Sequence, residues 1–347
     1  MLPLFVGYQY MPDGGLVEAI LSHKDRVREV YFAWPGIANG RTTAGNKWGI
    51  PPFEVLDSQR ADLARLGGAG IGLNLLLNGN CYGEAALSRT FFTRIGDLID
   101  ALGERYGLVA ITTASPLIAR FTKENFPSLD VRASVNMEIG GEEGISYLSE
   151  WMDGFYVKRE LNRDLEAVRT FSRQCRCLGK KVYLLANSGC LNYCSARTFH
   201  DNLVSHEAEV MQMDNAYAFQ GLCRHFLASE ENRQRILYLS NWIRPEDVCQ
   251  YEGLVDGVKL ATRVSERPAL ILAAYARGRF SGDLLSLTEP DLSSLFLPRV
   301  LSGQRMPEDF LQHSGDRVYC EELFHRVMED ISAYGAGEQG REAHANQ

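Results

Sequence analysis

The apolar run Val182-Tyr183-Leu184-Leu185-Ala186 is followed directly by Asn187-Ser188-Gly189-Cys190-Leu191-Asn192-Tyr193-Cys194-Ser195-Ala196-Arg197-Thr198-Phe199-His200. The first segment has the composition of a buried strand, and the Ser-Gly pair after it indicates a turn. Two cysteines, an arginine and a histidine therefore leave the end of one strand together. Thiolates are soft ligands that suit zinc and iron–sulfur clusters. The stretch predicts a metal or cluster site at the mouth of an α/β fold.

Apolar runs of similar length recur along the chain, and segments with helical periodicity separate them. The runs predict strands at residues 4–9, 30–34, 71–78, 108–113, 131–139, 154–159, 182–187 and 257–263. Strands that alternate with helices pair in parallel through right-handed crossovers. The number of these units predicts an α/β fold of the (β/α)8 TIM-barrel type. An open doubly wound sheet is the alternative, although no GxGxxG sequence follows the first strand to support its dinucleotide-binding form.

We expect residues 1–335 to form a single barrel domain. The chain has 347 residues, 45% of them hydrophobic, and α/β barrels of this length are commonly one domain. The segment 188–243 is too long for a simple crossover, so it predicts a cysteine-bearing insertion at the carboxyl-terminal rim of the barrel. The segment 336–347 is rich in Gly, Glu, Ala and Asn and predicts a disordered tail.

Charge and hydropathy exclude several classes of partner. A formal net charge of -8 gives no basic footprint, so nucleic-acid binding is not expected. No apolar run reaches the roughly 18 residues that would predict a membrane span. The amino-terminal residues lack the basic and long apolar regions of a signal peptide, which predicts a cytoplasmic protein. In that reducing compartment the eight cysteines are expected to be free thiols or metal ligands.

Five cysteines are candidate ligands for a metal or a cluster. Cys190 and Cys194 form the leading pair, because cysteines four residues apart can point the same way on one helical turn or tight loop. Cys223 lies in the predicted insertion, Cys81 in a Gly- and Asn-rich turn at the predicted rim, and Cys249 near a predicted helix start. The alternative for each is a buried thiol that packs as a small hydrophobic group.

The other cysteines and two histidines have different expected roles. Cys175 and Cys177 precede a strand, so they are expected at the opposite end of the barrel and are interpreted as structural. Cys320 has no nearby cysteine in the sequence. His200 and His206 follow the Cys190–Cys194 pair and are candidate nitrogen ligands or proton donors. Zinc with Cys and His ligands is therefore the alternative to an iron–sulfur cluster.

Polar residues follow the predicted strands, at the edge where barrel enzymes carry their chemistry. The candidates for proton transfer are Arg159, Glu160, His200 and Lys259, and those for binding an anionic substrate are Asn78, Arg197 and Arg263. The alternative is that Lys259 and Arg263 pair with Glu138 or Glu160 and only hold the barrel together. No GxSxG, HExxH or Walker A sequence supports a serine hydrolase, an HExxH metalloprotease or a P-loop enzyme.

The block Asn-Ser-Gly-Cys-x3-Cys-x2-Arg-x2-His at residues 187–200 resembles the collagenase-like U32 peptidase family. The segments Trp242-Ile243-Arg244-Pro245-Glu246-Asp247 and Gly257-Val258-Lys259-Leu260-Ala261-Thr262-Arg263 share the resemblance, which covers roughly residues 70–280. It implies a [4Fe–4S] cluster held by four cysteines. Several members take part in dioxygen-independent hydroxylation, whereas others are described only as proteases.

The chain departs from that family in lacking the Glu-x-Phe-x-His-Gly segment with its early cysteine pair and the carboxyl-terminal extension of several members. The first departure leaves the fourth cluster ligand open. Cys190, Cys194 and Cys223 are the expected ligands, with Cys81 or Cys249 as the fourth. Cys177 is a further possibility, against which the barrel topology argues.

Three functions remain open. The leading one is an iron–sulfur enzyme that performs hydroxylation or related redox chemistry on a small molecule or a carrier-bound substrate. The second is a peptidase or hydrolase that uses a metal-activated water. The third is a non-catalytic, cluster-bearing subunit of a heterodimer with a related protein.

Overall fold

The computed structural model describes residues 1–41 and 49–331, so the predicted tail at 336–347 lies outside the described residues. Eight parallel strands form a closed barrel in sequence order, and the last strand pairs with the first. The predicted (β/α)8 TIM-type fold is therefore confirmed. The strands are β1 Leu4–Gly7, β2 Val27–Ala33, β3 Gly72–Leu77, β4 Leu108–Thr113, β5 Asp130–Ala133, β6 Gly154–Tyr156, β7 Lys181–Leu185 and β8 Gly257–Leu260.

Helices follow the strands and cover the barrel. Several begin where a side-chain oxygen accepts a backbone N–H, as Ser88, Ser115 and Asp164 do, because the first N–H groups of a helix have no partner within it. The helices of the barrel wall are α1 Gly15–Ser22, α2 Pro52–Gly68, α3 Arg89–Tyr106, α4 Pro116–Asn125, α5 Glu142–Ser146 and α6 Leu165–Cys177.

The predicted insertion folds into short helices between β7 and β8. These are α7 Arg197–Ser205, α8 Glu207–Val210, α9 Leu222–Leu227, α10 Glu230–Arg233 and α11 Ile236–Leu239. The remaining helices are α12 Pro268–Arg277, α13 Phe310–His313 and α14 Arg317–Val327. Because the insertion leaves the carboxyl end of β7, it lies at the rim where the sequence placed it.

Several strands are shorter than the sequence patterns predict. The strand predicted at 131–139 ends at Ala133, because the side-chain oxygen of Ser134 accepts the N–H of Asn136 and begins a short 3-10 helix at Val135–Met137. Glu138 follows with a φ of 53°, which is outside the strand region. Residues 134–139 therefore form part of the rim, where their side chains are available to a site.

The segment after α12 folds back onto the rim. Its strands β9 Arg299–Leu301 and β10 Met328–Asp330 pair antiparallel. Glu289 exchanges backbone hydrogen bonds with the loop after β7: its N–H donates to the carbonyl of Asn187 at 2.9 Å, and its carbonyl accepts the N–H of Gly189 at 2.8 Å. A Cβ atom at residue 189 would collide with the backbone of Pro290, so this contact requires glycine.

A buried ion pair crosses the barrel interior. The guanidinium of Arg132 donates to both carboxylate oxygens of Glu29 at 2.8 and 2.7 Å, and Asn74 donates to the same carboxylate at 2.8 Å. The guanidinium carbon also lies 4.5 Å from the ring centroid of Tyr183. Aromatic and aliphatic side chains such as Phe5 fill the barrel interior around this pair. Because the interior is packed, a reactive site is expected at the carboxyl-terminal end of the barrel.

Candidate functional site

A cavity of about 60 Å³, here called the basic cavity, opens at the carboxyl end of the barrel. Four cationic side chains line it: Arg41, Arg159, Lys259 and Arg263. Two carboxylates, those of Asp201 and Glu289, line it as well. Four positive and two negative groups give a net charge of +2 when Lys259 is protonated. A small cavity with this charge suits a small anion.

Lys259 is one of three buried cations of this cavity, together with Arg159 and Arg263. The residue is 7% exposed, and its Nζ lies 3.9 Å from the ring centroid of Tyr31 and 5.3 Å from that of Tyr156. In the part of the chain that the structure describes, no carboxylate lies within ion-pair distance of this ammonium. Burial, helped by the positive charge of Arg263, lowers the pKa of Lys259 to about 7. The alternative role, an ion pair of Lys259 with Glu138 or Glu160, is not what this geometry shows.

The guanidiniums of Arg41 and Arg263 lie on the side of the basic cavity near Glu289. The Nε of Arg41 is 3.8 Å from Oε1 of Glu289, whereas Oε2 of Glu289 accepts the N–H of Val264 at 3.0 Å. Arg263 donates to the side-chain oxygen of Asn39 at 3.0 Å. The Glu289 carboxylate thus holds Arg41 and the backbone of Val264 in place, and its single negative charge does not neutralise both Arg41 and Arg263.

Arg159 also lines the cavity. Its guanidinium donates to Oε1 of Glu138 at 2.5 Å and to the side-chain oxygen of Asn136 at 2.7 Å. The Nε–H of Arg159 is buried and has no partner among the described residues. A buried donor without a partner is costly, so this atom is available to a ligand in the cavity. Asn78, which was expected to bind substrate, also lines the cavity, and its side-chain oxygen accepts the N–H of Gly40 at 3.1 Å.

Arg197 and Glu160 form an ion-pair network at the foot of the cysteine loop. Arg197 donates to Glu138 at 2.7 Å, to Glu160 at 2.5 Å and to the carbonyl of Leu191 at 3.0 Å. Burial alone would raise the pKa of Glu160, but the charge and hydrogen bonds of Arg197 hold it below its usual value. Among the described residues that line the basic cavity, neither of the two is found. In this geometry they hold the cysteine loop against the rim, and the substrate role of Arg197 and the proton-transfer role of Glu160 stay predictions.

Cys190, Cys194 and Cys223 come together between two cavities. Cys190 lines the basic cavity, whereas Cys194 and Cys223 line a neighbouring cavity of about 920 Å³ between the insertion and α14. Burial and then the negative charge of the Cys190 and Cys194 thiolates raise the pKa of Cys223. Such mutual repulsion between thiolates is relieved when a metal group binds them.

The two candidates for the fourth ligand lie in different surroundings. Cys81 lies in the loop after β3, where its thiol interacts with the imidazole of His206 and accepts the N–H of Gly83 at 3.4 Å. Cys249 is exposed, and its thiol donates to the carbonyl of Glu246 at 3.4 Å in the 3-10 helix that precedes β8. Because that helix leads into the amino end of β8, Cys249 lies away from the rim. The identity of a fourth ligand stays a prediction.

His200 lies beside both the basic cavity and Cys223. Its ring lines the cavity and contacts Phe219, with 5.2 Å between the ring centroids. A Cβ atom built on Gly221 would be 3.4 Å from the Cys223 sulfur and 3.7 Å from Cε1 of His200. Burial and the charge of Arg41 lower the pKa of His200, so its ring is neutral at pH 7. A neutral imidazole in this place can accept a proton or bind a metal.

The thiols of Cys190, Cys194 and Cys223 are soft donors of the kind that bind a metal or a cluster. Within residues 1–41 and 49–331, no three His, Cys, Asp or Glu side chains are arranged around a single ion. A [4Fe–4S] cluster binds each thiolate to a separate iron, so its thiols stand farther apart than the ligands of one ion. Three thiols from the loop after β7 and from α9 match the soft donors that such a cluster prefers.

Arg41 and Glu289 are among the residues of the basic cavity that were missed in the sequence. Arg41 belongs to a long polar loop after β2, and Glu289 belongs to the segment after α12, outside the predicted strand ends. Neither occurs in a motif, and both reach the site through contacts far apart in sequence. The one available signal was the length of the loop after β2, because long loops in compact domains commonly carry function.

Known proteins resemble this chain in sequence and in fold. No protein-family model matches the chain. A curated protein of Methanocaldococcus jannaschii, described as the uncharacterized protease MJ1657, is 23% identical over 267 residues, which is 75% of this chain and 75% of that protein. The solved structure of the U32 peptidase Mk0906 superposes with a TM-score of 0.54 at 13% identity, over 75% of this chain and 92% of that one. The resemblance to the U32 peptidases is thereby confirmed, and the structural match confirms the fold.

The structure also bears on the membrane prediction. Within the residues that the structure describes, no helix combines the length and hydrophobicity that a bilayer crossing requires.

Proposed function

We propose that this U32 peptidase-like chain is an enzyme that binds a small anionic substrate in the basic cavity, beside an iron–sulfur cluster held by Cys190, Cys194 and Cys223. The observation that carries the proposal is the basic cavity itself, in which Lys259 and a free Nε–H of Arg159 are buried next to Cys190. Burying the ammonium of Lys259 and the Nε–H of Arg159 without partners costs free energy that an anionic ligand returns.

Different side chains of the cavity would bind the substrate and transfer protons. The guanidiniums of Arg159 and Arg263 would bind carboxylate or phosphate oxygens of the substrate. Lys259, with a pKa of about 7, would exchange a proton with the bound molecule near neutral pH, and the neutral ring of His200 would accept one. The cluster, when bound, supplies electron transfer or a Lewis acid at an iron. Dioxygen-independent hydroxylation or related redox chemistry is the reaction class we propose.

A peptidase or hydrolase is the second candidate function. The relative from Methanocaldococcus jannaschii is described as a protease, and the solved structure that shares this fold is that of a U32 peptidase. A specific observation favours hydrolysis without a metal: Cys81 and His206 place a thiol beside an imidazole at the rim. In this candidate the nucleophile would be a thiolate, in place of the metal-activated water expected from the sequence.

Replacing Lys259 by methionine should weaken the binding of a small dianion by about 30-fold or more, because the partner of a buried charge is removed. In the unchanged protein the affinity should fall as the pH rises through 7, since Lys259 loses its proton there, and Lys259→Met should abolish this dependence. A bound anion raises the pKa of Lys259, so the fall should be centred above 7. Calorimetric titration with succinate and with inorganic phosphate measures both effects.

Lys24→Met is the matched control, because Lys24 is exposed and the same charge is lost. It should leave affinity and pH dependence unchanged. Equal, pH-independent binding by the unchanged protein and by Lys259→Met would remove the basic cavity from the proposal. A loss of binding that also occurs in Lys24→Met would mean that net charge alone governs the interaction.

A further inference from the structure

We propose that Cys81, His206 and Glu209 form a second reactive site, in which the thiol of Cys81 attacks acyl carbonyl groups. The inference rests on the second candidate function, hydrolysis, and not on the cluster. It assigns to Cys81 a chemical role other than cluster ligation. The substrate class is an acyl compound, such as an ester, a thioester or an amide.

The geometry of the three side chains carries the proposal. The Nδ1 of His206 lies 2.9 Å from Oε2 of Glu209, which leaves Nε2 as the ring nitrogen available to the thiol. The imidazole and the Cys81 sulfur both approach Gly83: its backbone nitrogen lies 3.4 Å from the sulfur, and a Cβ atom built on it would be 3.6 Å from Cε1 of His206. A carboxylate that orients an imidazole, and an imidazole that contacts a nucleophile, is the arrangement of nucleophile, base and orienting group used in covalent catalysis.

The fold places this arrangement at the catalytic edge of the barrel. Cys81 follows β3 at its carboxyl end, while His206 and Glu209 belong to the insertion after β7. The backbone N–H of Asn80 donates to the hydroxyl of Ser205 at 2.9 Å, which joins the two loops directly beside the thiol and the imidazole. Loops that meet at the carboxyl ends of barrel strands are where barrel enzymes assemble their reactive groups.

Two further features favour a reactive thiol over an inert one. The N–H of Gly83 donates to the Cys81 sulfur at 3.4 Å, and a donor at this distance stabilises a thiolate. Cys81 is also partly exposed, so an acyl compound can reach it. An inert structural thiol would instead be buried in apolar surroundings.

The reaction would proceed in two balanced steps. In the first, the imidazole of His206 takes the thiol proton, the sulfur of Cys81 bonds to the carbonyl carbon, and the leaving oxygen, sulfur or nitrogen departs with that proton. In the second, water loses a proton to the imidazole and attacks the thioester, which releases the carboxylic acid and restores the thiol. The sum is hydrolysis of the acyl compound by water, with no oxidant or reductant required.

The test uses p-nitrophenyl acetate and iodoacetamide as probes on the full chain at pH 7, with the modified cysteines located by mass spectrometry. We expect acetylation of Cys81 in a burst, and His206→Gln should slow it by about 10²-fold or more. Glu209→Gln, which removes only the orienting charge, should slow it less. Cys249 is exposed and provides an internal control, since iodoacetamide should modify Cys81 severalfold faster than Cys249.

Equal modification of Cys81 and Cys249, or a Cys81 rate unaffected by His206→Gln, would overturn the proposal. Protection of the buried thiols Cys175 and Cys320 from iodoacetamide in each variant shows that the fold is intact. Iron content separates this inference from the cluster: Cys81→Ala should abolish acetylation and leave bound iron unchanged. Loss of iron in Cys81→Ala would identify Cys81 as a cluster ligand and refute the nucleophile.

Discussion

Replacing Cys190 and Cys194 together by alanine should remove nearly all iron and acid-labile sulfide from the protein purified without oxygen. The unchanged chain should contain about four irons and four sulfides, as a thiolate-held [4Fe–4S] cluster does. Two of the three thiols that come together at the rim are lost in this variant, and Cys223 alone cannot retain the cluster. Iron and sulfide analysis, with a visible absorption spectrum recorded before and after reduction, measures the loss.

Cys177→Ala and Cys249→Ala are the matched controls for this experiment. Both thiols are exposed, and each lies before a strand, away from the carboxyl-terminal rim. Their removal should leave iron and sulfide at the level of the unchanged protein. Stoichiometric zinc without sulfide would instead contradict the cluster and place a hydrolase first. Retention of iron in the double variant would show that other residues hold it.

Arg132→Ala should destabilise the protein by about 3–5 kcal/mol, the usual cost of leaving a buried charge without its partner. The side chains of Arg132 and Glu29 are 6% and 4% exposed and share two hydrogen bonds. Without the guanidinium, the Glu29 carboxylate keeps only the amide of Asn74 as a donor near it. Urea unfolding followed by circular dichroism, at one pH and with equal iron content, measures the change.

Arg120→Ala is the control for this prediction. Arg120 pairs with Glu124 at 2.7 Å, but both side chains are more than half exposed, at 56% and 55%. Water and salt screen such a pair, so the unfolding midpoint should change little. The double variant Glu29→Gln/Arg132→Met should recover part of the lost stability, because it removes the unpaired charge as well. A single variant Arg132→Ala with an unchanged midpoint would show that water reaches the Glu29 carboxylate.

The positions of the thiols illustrate how far sequence reasoning reached into the site. Cys190 follows an apolar strand through a Ser-Gly turn, and the order of strands in a barrel places every such turn at one rim. Topology also places Cys175 and Cys177 at the opposite end, because they precede β7. Cys223 was expected beside Cys190, whereas the position of Cys81 next to His206 could not be read in advance. That depends on the path of the insertion, which has no repeating pattern.

For the cationic residues, too, position along a strand could be predicted from the sequence, whereas the partners of a loop residue could not. Lys259 and Arg263 were recognised because they lie in a strand and at its end, where position alone predicts that they face the cavity. Arg197 was recognised as a cation, but its partners Glu138 and Glu160 could not be named in advance, since they come from two other rim segments. A charged residue in a loop has many available partners, and the local sequence does not choose among them.

The sequence by itself determined the barrel and the rim that carries the chemistry, because alternating apolar runs and helical periodicity are local patterns that each element repeats. Only the tertiary structure decided the members of the site. Arg41 meets Glu289 across 248 positions of sequence, and Asn80 meets Ser205 across 125. Such contacts depend on how long loops close over the rim. Because closure of a long loop costs free energy that varies only slowly with its length, the sequence of a loop does not reveal its partner.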